Sequence, residues 1–135
     1  WKTLRTPLVW VLHVAYVWIP VHLLLRGLSE LGLVTSSAAV HALTVGAIGG
    51  LIIGMITRTA LGHTGRKLKA SRTDTVCYLL VLASALIRVF VPLFMPSQRI
   101  DAVRWSAALW SAAFALYAVT YWPVLTRIRA DGKPG

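Results

Sequence analysis

Acidic residues are scarce in this chain. Asp and Glu together number 4 against 14 Lys and Arg, and charged residues of every kind make up only 13% of the 135 positions. A soluble domain of this size carries about a quarter charged residues. So small a charged complement, with 57% hydrophobic residues and a mean hydropathy of +0.70, excludes an ordinary water-soluble globule. Cysteine is represented by Cys77 alone, which excludes an internal disulfide and any cysteine-based zinc site. Phosphate-binding loop, dinucleotide fingerprint, zincin motif, nucleophile elbow and paired carboxylates are all missing, so soluble-enzyme chemistry has none of its usual groups. There is no initiator methionine, and Trp1 stands close to the first apolar segment, so a piece of a longer polytopic chain is the expectation.

What the chain does have is four long apolar stretches, 7–25, 38–60, 74–95 and 103–125. Each is long enough to cross ~30 Å of hydrocarbon at ~1.5 Å per helical residue. The expected fold is an all-α membrane protein: one four-helix region over 1–135, wound up and down as a bundle. Gly27 and Gly32 are placed to break the first helix, Gly62 and Gly65 the second, and Pro96 the third. Ser36 or Ser37 suits the N-cap of the second helix, and Ser71, Thr73 or Asp74 that of the third.

The basic residues sort by side. Lys2, Arg5, Arg66, Lys67, Lys69, Arg72, Arg127, Arg129 and Lys133 fall at one end of the helices, and Arg26, Arg99 and Arg104 at the other, beside Glu30 and Asp101. The richly basic side is expected to be cytoplasmic, with both chain ends and the 61–73 loop there. A net charge of +10 arranged in this way meets an anionic leaflet of the lipid bilayer, so no nucleic acid is expected as partner. Trp1, Trp105 and Trp122 suit the interfacial belts.

The second helix carries Ala42, Gly46, Gly50 and Gly54 four residues apart, with Arg58 and Gly62 continuing the row. Such a face admits either a neighbouring helix or a planar macrocycle. Histidines inside membrane spans are costly and serve either as ligands or as polar contacts between helices. His13 and His22 stand about 2.5 turns apart and point to opposite faces of the first helix. His22 and His41 each lie three residues from the outer end of their spans. Antiparallel neighbours would hold them at one depth, where facing imidazoles suit a b-type haem, and imidazole also suits copper. Arg88, with Pro92 one turn later, lies partway in from the same side; it either meets a haem propionate, as Arg26 also can, or snorkels outward. His63 ends the second helix, as a cap favoured by the helix dipole or as a ligand with partners from elsewhere. Asp74 reads as an N-cap with Arg58 or Arg66 in reach. The stripe Trp110, Phe114, Tyr117, Tyr121 reads as packing, and Cys77, Ser84, Arg88 and Met95 form a polar seam facing the bundle.

"HALTVGAIGG" (41–50), "MITRTALGHTGR" (55–66) and the upstream "WVLHVAYVWIP" (10–20) resemble the NnrS family of bacterial inner-membrane proteins. The resemblance runs over much of the first half and is most specific in "TRTALGHTGR". It implies a longer, many-helix protein of which this is the C-terminal portion, carrying haem and copper, placed in the bacterial inner membrane and linked to denitrification and nitric oxide response. Nitric oxide would then be a small ligand, and other helices of the chain or other membrane subunits its partners. His13, His41, Arg58, His63 and Arg66 coincide with the family pattern. His41 ranks first as a ligand, then His13 and His63, with His22 a geometric alternative. A membrane structural or assembly subunit, or a transporter with the second helix broken at Gly49–Gly50, stands as the alternative without a redox cofactor.

Overall fold

A computed structural model describes residues 6–132; Trp1, Lys2, Arg5 and Lys133 lie outside them. No strand occurs among the described residues, which form four helices: α1 (Pro7–Glu30), α2 (Ser36–His63), α3 (Arg72–Phe94) and α4 (Arg99–Thr126). A short 3-10 turn, Pro96–Gln98, leads into α4. All four are long and apolar enough to cross a membrane. Successive helices are neighbours: α1 packs on α2, α2 on α3, and α3 on α4, with α2 touching all three others.

The helix ends differ in detail from the sequence expectation. Gly27 does not break α1, which runs on to Glu30. Gly62 likewise stays helical, and the left-handed residues are Gly32 (φ +73) and Gly65 (φ +69). Both close their helices by the same device. Leu33 N–H donates to the Leu28 carbonyl and Gly32 N–H to Ser29; Arg66 N–H donates to Leu61 and Gly65 N–H to Gly62. These paired bonds satisfy the last free carbonyls of a helix, and only a residue at ease with positive φ makes them cheaply. The N-cap of α2 is Thr35, not Ser36 or Ser37, and its side chain makes no capping bond. At α3 the cap is Ser71, in a full capping box with Asp74. Pro96 does stop α3, with Met95 (φ −134, ψ 74) out of the helical region that a following proline disfavours.

Within the membrane, where lipid is as apolar as the side chains, helices associate by close packing rather than by hydrophobicity. The glycine row supplies that closeness. A Cβ on Gly46 would overlap the Trp18 indole, one on Gly50 would sit 2.8 Å from the Ala15 Cβ, and one on Gly54 2.9 Å from Leu12. Helix α1 therefore fills the bare face of α2, including the ground of Gly46 and Gly50 offered above to a macrocycle. On the other side of α2, a Cβ on Gly49 would overlap Trp110 of α4. Between these two tryptophan contacts the backbone is π-wound over Ala42–Ile48, with Gly49 N–H reaching back to the Thr44 carbonyl. The helix is widened there but continuous, so it is not broken at Gly49–Gly50. Such widened turns are rare and recur at functional sites.

Candidate functional site

The polar groups gather at the two ends of the bundle. At the end bearing the basic loop, Asp74 is buried at 3% exposure. One of its oxygens accepts from Ser71 N–H at 2.6 Å and the other from the Tyr121 hydroxyl at 3.0 Å. It makes no ion pair with Arg58 or Arg66 among the described residues. Tyr117 stacks on Tyr121 at 4.5 Å and donates to the Ile56 carbonyl at 3.2 Å, so the aromatic stripe of α4 packs, as expected. Ala130 N–H donates to the Thr64 carbonyl at 3.0 Å, tying the segment after α4 to the end of α2. His63 is exposed there, on the last turn of α2, and lines an open groove of about 370 Å³ with Arg58, Thr59, Met55 and Arg129.

Three imidazoles share one feature with different surroundings, His22 and His41 at the opposite end and His13 in the basic-loop half of α1. His41 Nδ1 lies 2.6 Å from the Ser37 carbonyl, His22 Nδ1 2.8 Å from Ala39, and His13 Nδ1, nearer mid-span, 2.9 Å from Val9. A carbonyl only accepts, so each Nδ1 carries a proton, and in the neutral form of such a ring the lone pair lies on Nε2. That is the arrangement in which a protein presents histidine to a metal, with the second nitrogen fixed by a backbone oxygen.

His22 and His41 are at one depth, as expected, yet they do not face each other. His22 reaches α2 from α1, whereas His41 opens on the other side of α2, into a groove of about 260 Å³ against Ser84, Arg88, Ser106 and Trp110. A haem bridged by this pair is therefore not what the geometry offers. His13 is exposed on the outer surface of α1. Below His41, the Ser84 hydroxyl donates to the Ser106 carbonyl at 2.9 Å, pinning α3 to α4 at the groove floor. Of the polar seam on α3, Cys77 and Ser84 are buried as expected; Met95 is outside α3 and 52% exposed.

Arg88 borders the His41 groove and also a second pocket of about 360 Å³, which Arg99 shares. Nothing in the sequence pairs these two. Arg26, offered above as the companion of Arg88, is instead bound to Glu30 at 2.7 Å on the exposed face of α1. Along α2, His41 and His63 are separated by six turns, roughly 30 Å. Of the five family-pattern residues, His41 is thus at one end of the bundle, Arg58, His63 and Arg66 are at the other, and His13 stands apart on the exposed face of α1. Among the described residues no group of three or more His, Cys, Asp or Glu is placed to hold a metal ion.

Four apolar helices with histidines presented from within them define a polytopic helical membrane protein. A family model described as NnrS protein matches residues 1–129, so the chain belongs to the NnrS family, and the match extends well past the half that carries the sequence signature. The comparison with curated proteins found no match, and neither did the comparison with solved structures.

Proposed function

We propose that this chain is the membrane part of a haem-binding protein of the bacterial inner membrane that acts in the nitric oxide response or denitrification, with His41 as an axial haem ligand. One observation carries the reading: the His41 Nδ1–H is turned to the Ser37 carbonyl at 2.6 Å, which leaves Nε2 as the nitrogen available to a metal beside a groove between three helices. The donor type and its fixed tautomer fit haem iron. When bound, haem would supply an iron able to take nitric oxide as a ligand. The chain's own contribution is to hold the imidazole in one tautomer, to floor the groove with the Ser84–Ser106 pair, and to wall it with Trp110.

Copper fits less well. His63 and His13 each present a single imidazole without a neighbouring ligand among the described residues, so a copper site using either draws its other donors from further helices. The basic loop after α2 is placed on the cytoplasmic side by the excess of Lys and Arg there.

A structural or assembly role is favoured by the filled glycine face, since α1 occupies the surface a macrocycle would need. The transporter alternative loses its distinguishing feature, because α2 is continuous at Gly49–Gly50. Haem per protein, measured in full-length wild type, His41→Gln and His22→Gln at matched expression, separates the readings. The haem reading expects a coloured wild type, loss of haem in His41→Gln and retention in His22→Gln. A colourless wild type, or full retention in His41→Gln, overturns it.

A further inference from the structure

The chain has only four acidic residues, and each is committed. Glu30 pairs with Arg26 at 2.7 Å and Asp101 with Arg104 at 3.3 Å. Asp131 pairs with Arg129 at 2.7 Å, and Asp74 is held by Ser71 and Tyr121. Nothing is left for Arg88 and Arg99, which line one pocket between the outer ends of α2 and α3 and the start of α4. Arg88 is six residues inside the end of α3, roughly 9 Å below it, where an ion needs a counter-charge. Two like charges facing one cavity make that need greater.

We infer that the pocket between Arg88 and Arg99 binds the phosphate of an acidic phospholipid. Neither arginine has an acidic partner among the described residues, and both line one pocket, so an anion from outside the chain would answer the two together. The guanidinium fork suits phosphate, which it meets with paired hydrogen bonds. The remaining walls decide which kind of phosphate. Val34, Val89 and Leu93 make the pocket largely apolar, and it lies at a membrane face, where glycerol and acyl chains have apolar surface to cover. A free inorganic ion would leave those walls uncovered. The Ser37 hydroxyl adds a neutral hydrogen-bonding group to the same pocket. This site is separate from the imidazole of His41, although Arg88 stands between the two.

The test uses the full-length protein in nanodiscs of equimolar phosphatidylglycerol and phosphatidylcholine, with tightly retained lipid counted by mass spectrometry after extraction into detergent. Wild type is expected to retain phosphatidylglycerol over phosphatidylcholine by about tenfold, a difference typical of one to two basic contacts to an anionic lipid. Arg88→Gln/Arg99→Gln should erase the preference. Arg99→Gln alone, at the exposed start of α4, should reduce it without endangering the fold. Arg26→Gln at the same end, and His41→Gln, should leave it intact. Equal retention of the two lipids by wild type overturns the inference, as does an unchanged preference in the double variant. Full displacement by inorganic phosphate would mean a free-anion site. Loss of haem from the double variant with lipid retention unchanged would mean a carboxylate ligand instead. Either result also overturns it.

Discussion

The two ends of the bundle treat their polar groups in opposite ways. At the basic-loop end the chain answers most of its own needs: Asp74 has Ser71 and Tyr121, Tyr117 has the Ile56 carbonyl, Thr64 receives Ala130 N–H, and Arg129 has Asp131, the buried Tyr78 hydroxyl being an exception among the described residues. At the other end Arg88 and Arg99 have no acid, and the Nε2 atoms of His22 and His41 have no partner among the described residues. Unpaired polar groups in a membrane are expensive, so they persist where something outside the chain satisfies them. The difference teaches where to look. The closed end holds the fold together, and the open end is built to receive.

The largest expected effect comes from opening the closed end. Asp74→Ala removes half of a capping box and the acceptor of a buried tyrosine hydroxyl. A cap is worth ~1 kcal/mol and a hydrogen bond to a charged group ~1.5–3 kcal/mol, so the loss should be about 2–4 kcal/mol. Thermal unfolding in detergent, compared with wild type, reads it. A midpoint unchanged in Asp74→Ala would show that the contacts at this end are incidental and would erase the contrast between the ends.

A second substitution asks whether the open end is simply badly packed. Gly46 lies under Trp18, within the widened segment of α2 and close to His41. Gly46→Val would force the indole aside, and overpacking of this kind costs ~1–3 kcal/mol. If that end were loose, the valine would be absorbed and stability kept. The expected result is destabilisation: the backbone there is tight, and only the polar groups are unmatched.

Much of this fold was legible in the sequence, because a bilayer leaves a chain few options. Four apolar runs of sufficient length had to be four helices, and Lys and Arg placement separated the two ends. The boundaries were harder. Gly62 and Gly65 are both plausible stops, and nothing local says that Gly65 takes the left-handed conformation; the bond from Arg66 N–H to Leu61 decides it. The π-wound segment left no mark in the sequence, since it answers to Trp18 and Trp110 pressing on Gly46 and Gly49 from two other helices. His41 was legible as a candidate from its depth. The matched depth of His22 misled, because residues 39 and 41 lie on opposite sides of a helix, and His22 is bonded at one while the other faces the groove. The Arg88–Arg99 pocket was missed. Arg99 reads as an outer loop charge, and with 14 Lys and Arg against 4 acids a charge count singles out neither arginine.

The smallest expected effect concerns His63, the one histidine at the closed end. Its helix finishes by Gly65 and the Arg66 N–H bond, neither of which needs the imidazole. The ring is exposed and has no hydrogen bond among the described residues, so its stabilising role reduces to what a side chain on the last helical turn gains from the helix dipole. His63→Gln should therefore cost less than ~1 kcal/mol in thermal unfolding. Its metal content is the more telling number. If the closed end is closed in every respect, haem and copper per protein should match wild type, and His63 is a cap. If His63 is a ligand, as its place in the family signature and the neighbouring Arg58 suggest, copper should fall by more than the ~10–100-fold usual for loss of a group that only supports a ligand, while the fold is unmoved. We expect the second outcome, with the remaining donors supplied by helices beyond this chain. Full retention of copper in His63→Gln, beside loss of haem in His41→Gln, would confine ligand binding to the open end.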